Sequence, residues 1–560
     1  MSSSHSRRLF GWLSYAFASE VFVVVSLTLF LPICLEQFAR DNGFLDPDHT
    51  KPCMSAPGEN TASTETRCSV KIGWLWIDSA SFSLYVYSIS VALQALTVIS
   101  MGSIADRPTT RKPLLLSFAL VGASAAILFL FLSSSSPLWI LSAVFAICAN
   151  VGFGASVVAM NAYLPSLARE SPEVIKALDK SPTSPDVPPS IDLDADHALF
   201  SDSESVSAPL LGVEAMPDHQ SPARKAYVAA LSRATSRISS QGIASGYGAG
   251  ILLLLLALVP VTQMHGSTFS LRLAIGLSGI WWMLFSIPAA IWLPGAPAHA
   301  YGGNDDKWTI GSEVVAAWKR LGVMLRWSEM KRLQHTFRYL AAWFLLSDGF
   351  TTITSTAILF GKTTLHMDNS SLVLIGAITP TAGIVGSLFF PALQRRCGWS
   401  NLHVLVLLVV LVSCIPAYGC LGFVPFIRRM RVGGLTTPGE MFGLAVYFGF
   451  AYGAFQSYAR ACYAEMIPPR EAARWYVRSR PALFPNSSSF VGPLIVGLIA
   501  DSTGNIRYAF FFLVVMVWLA VPVLSSVDVE QGRIDAQTYA VERVQGTGSD
   551  ARNVHTDGTR

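Results

Sequence analysis

The stretch Gly102-Ser103-Ile104-Ala105-Asp106-Arg107, closing on Arg111-Lys112, returns in outline as Gly386-Ser387-Leu388 with Arg395-Arg396, and in both copies the basic pair begins nine residues past the glycine. Each copy follows an apolar run. A second match sets Gly154-Ala155 and Tyr163 against Gly453-Ala454 and Tyr463 at a nearly constant offset, with a proline after each, Pro165 and Pro468. Paired motifs at fixed spacing in apolar surroundings mark a parallel internal repeat. The chain therefore reads as two halves built to one plan.

Of its 560 residues 52% are hydrophobic and 14% charged, whereas soluble globules carry about a quarter charged residues. A mean hydropathy of +0.45 requires long apolar runs, so the bilayer is the natural solvent. The net charge of +4, from 40 basic and 36 acidic residues, gives no nucleic-acid-binding surface. Eight cysteines include no C-x-x-C pair and no zinc-ligand spacing, so no metal and no cofactor is expected. H-E-x-x-H and G-x-S-x-G are both missing from the sequence, which argues against an enzyme of the hydrolase kind. Gly361-Lys362-Thr363 imitates the end of a phosphate-binding loop, but Thr356 stands where that loop needs glycine, which disfavours ATP-driven transport.

Runs of about 18 to 25 apolar residues, enough to cross about 30 Å of hydrocarbon, mark about twelve spans. They fall near 11–35, 77–101, 114–132, 138–163, 243–264 and 272–293, then near 338–360, 371–393, 402–424, 440–464, 484–500 and 508–527. Hydrocarbon forbids open sheet edges, so the spans are helices. The expected fold is an all-α membrane protein with two pseudo-symmetric six-helix halves, 11–293 and 338–527. The first run lacks a signal-peptide cleavage site and is read as a retained span.

With residues 1–10 in the cytosol, the basic residues near Arg8, Arg107, Arg111, Lys112, Arg224–Arg237, Lys319–Arg338, Arg395 and Arg470–Arg480 share that face. Arg40, Lys51, Arg67, Lys71, Lys362, Arg428, Arg429, Arg431 and Arg507 remain opposite, a minority that puts both termini in the cytosol. Loop 36–76 is then lumenal, and there Cys53 and Cys68 are candidates for a disulfide. Asn369 opens a lumenal N-x-S sequon and is a glycosylation candidate. Segment 166–240 is rich in Ser, Pro and Asp and is expected to be disordered, either a solvated tether or a carrier of phosphorylated Ser-Pro pairs. In the linker 294–337, Val314, Val315, Trp318, Leu321 and Leu325 recur at helical spacing beside Lys319, Arg320 and Arg326, as in an amphipathic surface helix. Residues 528–560 form an expected disordered cytosolic tail.

The motif Gly102 to Lys112 resembles the cytosolic loop signature of the major facilitator superfamily. That resemblance implies that Gly102 allows close packing and that Asp106, Arg107, Arg111 and Lys112 lock the cytosolic face. More specific are Gly11-Trp12-Leu13-Ser14-Tyr15-Ala16-Phe17-Ala18-Ser19-Glu20, Leu346-Ser347-Asp348-Gly349-Phe350, Tyr452-Gly453-Ala454-Phe455-Gln456-Ser457-Tyr458-Ala459-Arg460 and Gly497-Leu498-Ile499-Ala500-Asp501-Ser502-Thr503-Gly504-Asn505-Ile506-Arg507. These runs resemble the fungal autophagy-related vacuolar amino-acid effluxers. The resemblance implies a multi-pass vacuolar carrier that releases neutral amino acids such as leucine, isoleucine and tyrosine into the cytosol after autophagic breakdown. One stretch departs from the family: between Trp475 and Ser487, Arg478, Arg480, Pro481 and Pro485 interrupt a helix-compatible lead into the eleventh span. A mis-joined coding sequence would leave this signature.

A charge inside a span is expensive unless paired or facing water, so each is a functional candidate. Glu20 lies midway along the first span, on a stripe with Tyr15 and Ser19; Asp348 lies in the seventh with Thr351 and Thr352 at i+3 and i+4; Arg460 lies in the tenth with Gln456. Glu20 and Asp348 are candidates for proton coupling. Tyr15, Ser19, Thr351, Thr352, Gln456 and Arg460 are candidates for holding a zwitterionic amino acid. The structural alternatives are a fixed Arg460 to Asp348 ion pair bracing the halves, or carboxylates capping local backbone kinks. Export of another small solute, or a scaffold or sensor acting through 166–240, are the rival functions.

Overall fold

The computed structural model describes residues 2–46, 49–53, 68–179, 222–264, 267–295, 310–430, 433–466, 489–536 and 538. Among them, ten helices are long and apolar enough to cross a membrane: Ser4–Asp41, Ser79–Gly102, Thr109–Phe131, Leu141–Arg169, Arg237–Gln263, Thr268–Trp292, Gln334–Thr363, Asn369–Cys397, Asn401–Leu421 and Ile506–Ser525. Pro438–Glu465 and the shorter Val491–Thr503 stand in the tenth and eleventh places. Helices thus occupy every expected span. Leu252, Leu255, Leu256 and Val259 of the fifth span and Phe511, Val515, Trp518 and Leu519 of the twelfth are exposed, a surface suited to lipid.

Small residues set the contacts within each half, because lipid supplies no hydrophobic drive between helices and close backbone approach must do the work. In the first half, Gly154 of the fourth span lies against Gln94 of the second. In the second half, Gly453 of the tenth lies against Gly383 of the eighth, and Gly386 against the Phe450 carbonyl. Gly154 and Gly453, which match in the repeat, therefore serve equivalent helix pairs, the second with the fourth span and the eighth with the tenth. The stripe Gly242, Gly246 and Gly250 forms a groove in the fifth span that receives Trp12, Glu20 and Val24 of the first.

The halves meet along two seams. Second and eleventh spans are joined by Ser81 Oγ donating to the Gly497 carbonyl at 2.9 Å and Ser88 Oγ to the Phe490 carbonyl at 2.5 Å. The Asp78 amide donates to Asp501 at 2.8 Å. Fifth and eighth spans pack together along the other seam.

At one end of the bundle, β1 (Phe44–Leu45), β2 (Cys68–Ile72) and β3 (Leu75–Asp78) form an antiparallel sheet in the order β1-β2-β3. Ser69 pairs with both Phe44 and Asp78. Cys53 and Cys68 are disulfide-bonded there, 5.9 Å apart at Cα. At the opposite end Arg8 pairs with Glu170 at 2.7 Å, and the Asp528 amide bonds His335, so the first helix starts and the last ends on the same side. These are called the hairpin end and the terminal end.

Four features differ from the sequence expectation. The first span is one helical path, but Phe22–Phe30 is wound as a π-helix ahead of Pro32, whose missing N–H and ring oppose a regular preceding turn. Helix also enters both flanks of 166–240, as Leu164–Arg169, Pro172–Asp179 and Pro222–Gln263. There Val174, Ala230, Ala234 and Ile238 are buried and Arg237 meets Glu173 at 2.5 Å, so these flanks do bury a core; residues 180–221 lie outside the described part. The eleventh helix begins at Val491 instead of near 484, and 467–488, which hold the four interrupting residues, are likewise outside. At the other end, residues 529–536 are helical because Val527 and Ala536 bury against the bundle.

The linker contains Ile310–Met324 and Trp327–Arg332. Val315, Trp318 and Leu325 are exposed, while Glu313 pairs with Arg107 and the Trp318 indole donates to Ser100. One edge of the helix is therefore held on the second span and its apolar edge left outward.

Candidate functional site

Asp348 is fully buried in the middle of the seventh span. Its Oδ2 accepts the Gly492 amide at 2.8 Å, in the first turn of the eleventh helix. A helix N-terminus presents unsatisfied amides and a partial positive charge, so the carboxylate stands where a helix favours an anion. No hydrogen-bond donor among the described residues reaches Oδ1. Ser489 and Ser347 bond one another across the same gap. Thr351 and Thr352 donate their hydroxyls to the Ser347 and Asp348 carbonyls of their own helix, at 2.9 and 2.6 Å.

Glu20 is half-buried, and its side chain lies on Gly246 of the fifth span. Asp348 lies likewise on Gly492 of the eleventh. First and seventh spans are equivalent under the repeat, and so are fifth and eleventh. Each half therefore places its acid against a glycine of its own fifth helix, where the missing Cβ makes room for the Glu20 stem in one half and for Thr352 beside Asp348 in the other.

Gln456 donates to the Tyr452 hydroxyl at 2.8 Å, and Tyr452 packs on Phe350, two residues along the seventh span from Asp348. Tyr87 of the second span reaches across the seam into electrostatic range of Asp348 and Tyr452. The structure thus gathers Asp348, Thr352, Tyr452 and Gln456, and adds Tyr87 and Gly492, which sequence reading missed. Arg460 has its backbone in the tenth helix, but its side chain is outside the described residues, as is that of Asp106. Tyr15 and Ser19 stand elsewhere. Both are fully buried inside the first half, the Tyr15 hydroxyl accepting from the Trp282 indole and the Ser19 hydroxyl donating to the Tyr15 carbonyl. Nearby, Gln94 Oε1 and Asn150 Oδ1 are buried with no donor among the described residues.

The loop motif is ordered by contacts at the terminal end. Arg107 pairs with Glu313 at 2.7 Å; Arg111 donates to the Ala105 carbonyl and covers the Tyr163 ring; Lys112 donates to the Leu293 carbonyl. A Cβ on Gly102 would meet nothing within 4 Å, so close packing at this glycine is not a feature of this conformation. Asn369 is buried, its side-chain carbonyl accepting from Lys362 at 2.8 Å. Glu36, fully buried, is a further charge that sequence reading missed: it stands one residue beyond the first apolar run and was assigned to the loop.

Two repeated six-helix halves, with a buried carboxylate inside the second, make a membrane protein of the major facilitator fold type. The fold resembles that of a solved D-xylose-proton symporter, with a TM-score of 0.52 at 10% identity over 94% of this chain and 98% of that one. The inward-open xylose transporter XylE from E. coli gives 0.50 at 11% identity, over 94% and 96%.

Residues 4–537 match the family model described as vacuole effluxer Atg22 like, and the chain belongs to that family. The autophagy-related protein 22 of Cryptococcus neoformans is 41% identical over 97% of this chain and 98% of its own. That of Coccidioides immitis is 38% identical over 99% and 91%. The chain is accordingly a multi-pass transporter of the vacuolar membrane.

Proposed function

We propose that the protein exports neutral amino acids, leucine, isoleucine and tyrosine among them, from vacuole to cytosol after autophagic degradation, by proton-coupled alternating access. Both termini face the cytosol, and the hairpin end faces the lumen. The family supports the compartment and the export; the bonding state of Asp348 supports the coupling. A carboxylate buried in a membrane protein, with one oxygen on a helix N-terminus and the other without a donor among the described residues, is a group whose charge depends on access to protons. When ionised it fills the N-terminus of the eleventh helix. When protonated it releases that amide to a substrate carboxylate, while Tyr452, Gln456 and Tyr87 supply hydroxyl and amide partners. Arg460 is the proposed cationic partner of the substrate, and Glu20 the equivalent acid of the first half.

The test is leucine release from isolated vacuoles with and without the protein, repeated with Asp348→Asn and Glu20→Gln. Proton-dependent release that needs the protein and is lost in Asp348→Asn supports the reading. Full proton-dependent release by both variants would overturn it.

A further inference from the structure

Glu36 lies near the hairpin end of the first span, where first, second and seventh spans meet. A carboxylate removed from water needs cations and donors around it, or a proton on it. Its Oε1 receives the Ser79 hydroxyl at 3.4 Å and the Arg40 guanidinium at 3.7 Å, both long contacts. No hydrogen-bond donor among the described residues reaches Oε2. Arg40 is 42% exposed whereas Glu36 is at 0%, so its own helix offers only a partly solvated partner.

The second cation comes from the other half. Lys362, at the end of the seventh span, is within electrostatic range of Glu36, and its ammonium donates to Asn369 of the eighth. Asp368 sits beside Lys362. From the second span Asp78 faces the same cluster, and its backbone amide is bonded to Asp501 of the eleventh. Arg272 of the sixth span approaches the first helix by Cys34 and donates to the Leu132 carbonyl, while Asp41 is bonded by Gln37. Among the described residues, the one charge attraction that Glu36 makes to the other half is therefore the one to Lys362, where the first and seventh spans meet.

We infer that Glu36 is a proton-binding site whose charge holds the hairpin end closed: ionised, it draws Lys362 toward the first span; with a proton on Oε2 that attraction ends and the seam is free to part. The site is separate from Asp348. It rests on the proposed carrier function only for the compartment that supplies the proton, and its test measures no amino-acid flux.

The experiment uses the full-length protein in liposomes and two readouts. The first is modification of Glu36 in the wild-type chain by a lipid-soluble carbodiimide, which attacks protonated buried carboxyls, measured by peptide mass. Lowering the pH from about 7.5 to about 5, across the range open to perturbed carboxyls, should raise the modification about threefold or more. The second is reaction of Ser81→Cys, which lies in the second-to-eleventh seam, with an impermeant maleimide added at the hairpin side. With Glu36 and Lys362 intact, that reaction should quicken about fivefold over the same pH drop, the population shift from losing one modest cross-seam attraction. With Glu36→Gln or Lys362→Met added it should be fast at both pH values. Carbodiimide modification flat with pH would overturn the inference without relying on any variant's folding. So would modification suppressed by sodium at constant pH, or a maleimide reaction in the double variant Ser81→Cys/Glu36→Gln that follows pH just as in Ser81→Cys alone. A protein that passes these tests but moves no leucine would sink the amino-acid reading alone.

Discussion

Replacing Gly492 with alanine puts a methyl group where the eleventh helix meets the seventh. The new Cβ would overlap Thr352 Oγ1 and come within 3.1 Å of Asp348 Oδ1. Thr352 is fully buried and its hydroxyl is tied to the Asp348 carbonyl at 2.6 Å, so it has no free rotamer into which to retreat. The helices must part. Overpacking of this kind costs about 1–3 kcal/mol. Parting also lengthens the 2.8 Å bond from the Gly492 amide to Asp348, and a hydrogen bond to a charged group is worth about 1.5–3 kcal/mol. Because the bond is stretched and only part of its worth is lost, the expected total is a loss of about 2–4 kcal/mol in stability, with proton-dependent leucine flux down about tenfold or more, since about 1.4 kcal/mol of lost geometry already gives that factor. Truncating Thr352 in the same chain removes the overlapping oxygen. The double variant Gly492→Ala/Thr352→Ala should therefore recover about 1–2 kcal/mol relative to the sum of the singles, within the coupling range for touching residues. Thermal unfolding in detergent reads stability, and vesicle uptake reads flux. A Gly492→Ala protein with wild-type stability and flux, or a double variant no better than additive, would refute the reasoning.

Gly246→Ala drives a methyl into the Glu20 side chain and should destabilise by about 1–3 kcal/mol, while Gly248→Ala, whose Cβ meets nothing within 4 Å, should be neutral in the same unfolding assay. Arg107→Ala should cost only about 0–1 kcal/mol, because that guanidinium is 37% exposed and solvent screens the pair with Glu313; a loss far above this in thermal unfolding would show that the loop motif carries the bundle. Cys53→Ala with Cys68→Ala opens a loop of 15 positions, for which chain entropy predicts a cost of about 3 kcal/mol. That loss should be confined to the hairpin, seen as faster proteolysis there with unchanged flux.

Much of the fold was legible because a bilayer imposes length, apolarity and helix at once. The paired motifs marked the halves, and of their glycines Gly154 and Gly453 sit at equivalent helix contacts whereas Gly102, unlike Gly386, does not. Asp348 was legible as a charge in an apolar run; its partner was not, because Gly492 is an ordinary glycine until the eleventh helix is placed against the seventh. Tyr15 and Ser19 shared a stripe with Glu20, yet that stripe turns into the first half, where the Trp282 indole meets Tyr15. Period alone cannot distinguish a face toward the seam from one toward the half's own core. Glu36 failed for a related reason: it borders an apolar run, and only packing of the first span on the second and seventh buries it.

In the proposed mechanism a buried carboxylate, Asp348, couples amino-acid export to protons. The direct measurement is leucine flux in liposomes holding the purified protein, with an imposed pH difference and proton movement followed in parallel. Wild-type protein should move leucine and protons together, and Asp348→Asn should exchange leucine across the membrane without proton movement. Leucine flux in the wild type that is equal with and without the pH difference, with no accompanying protons, would contradict the account.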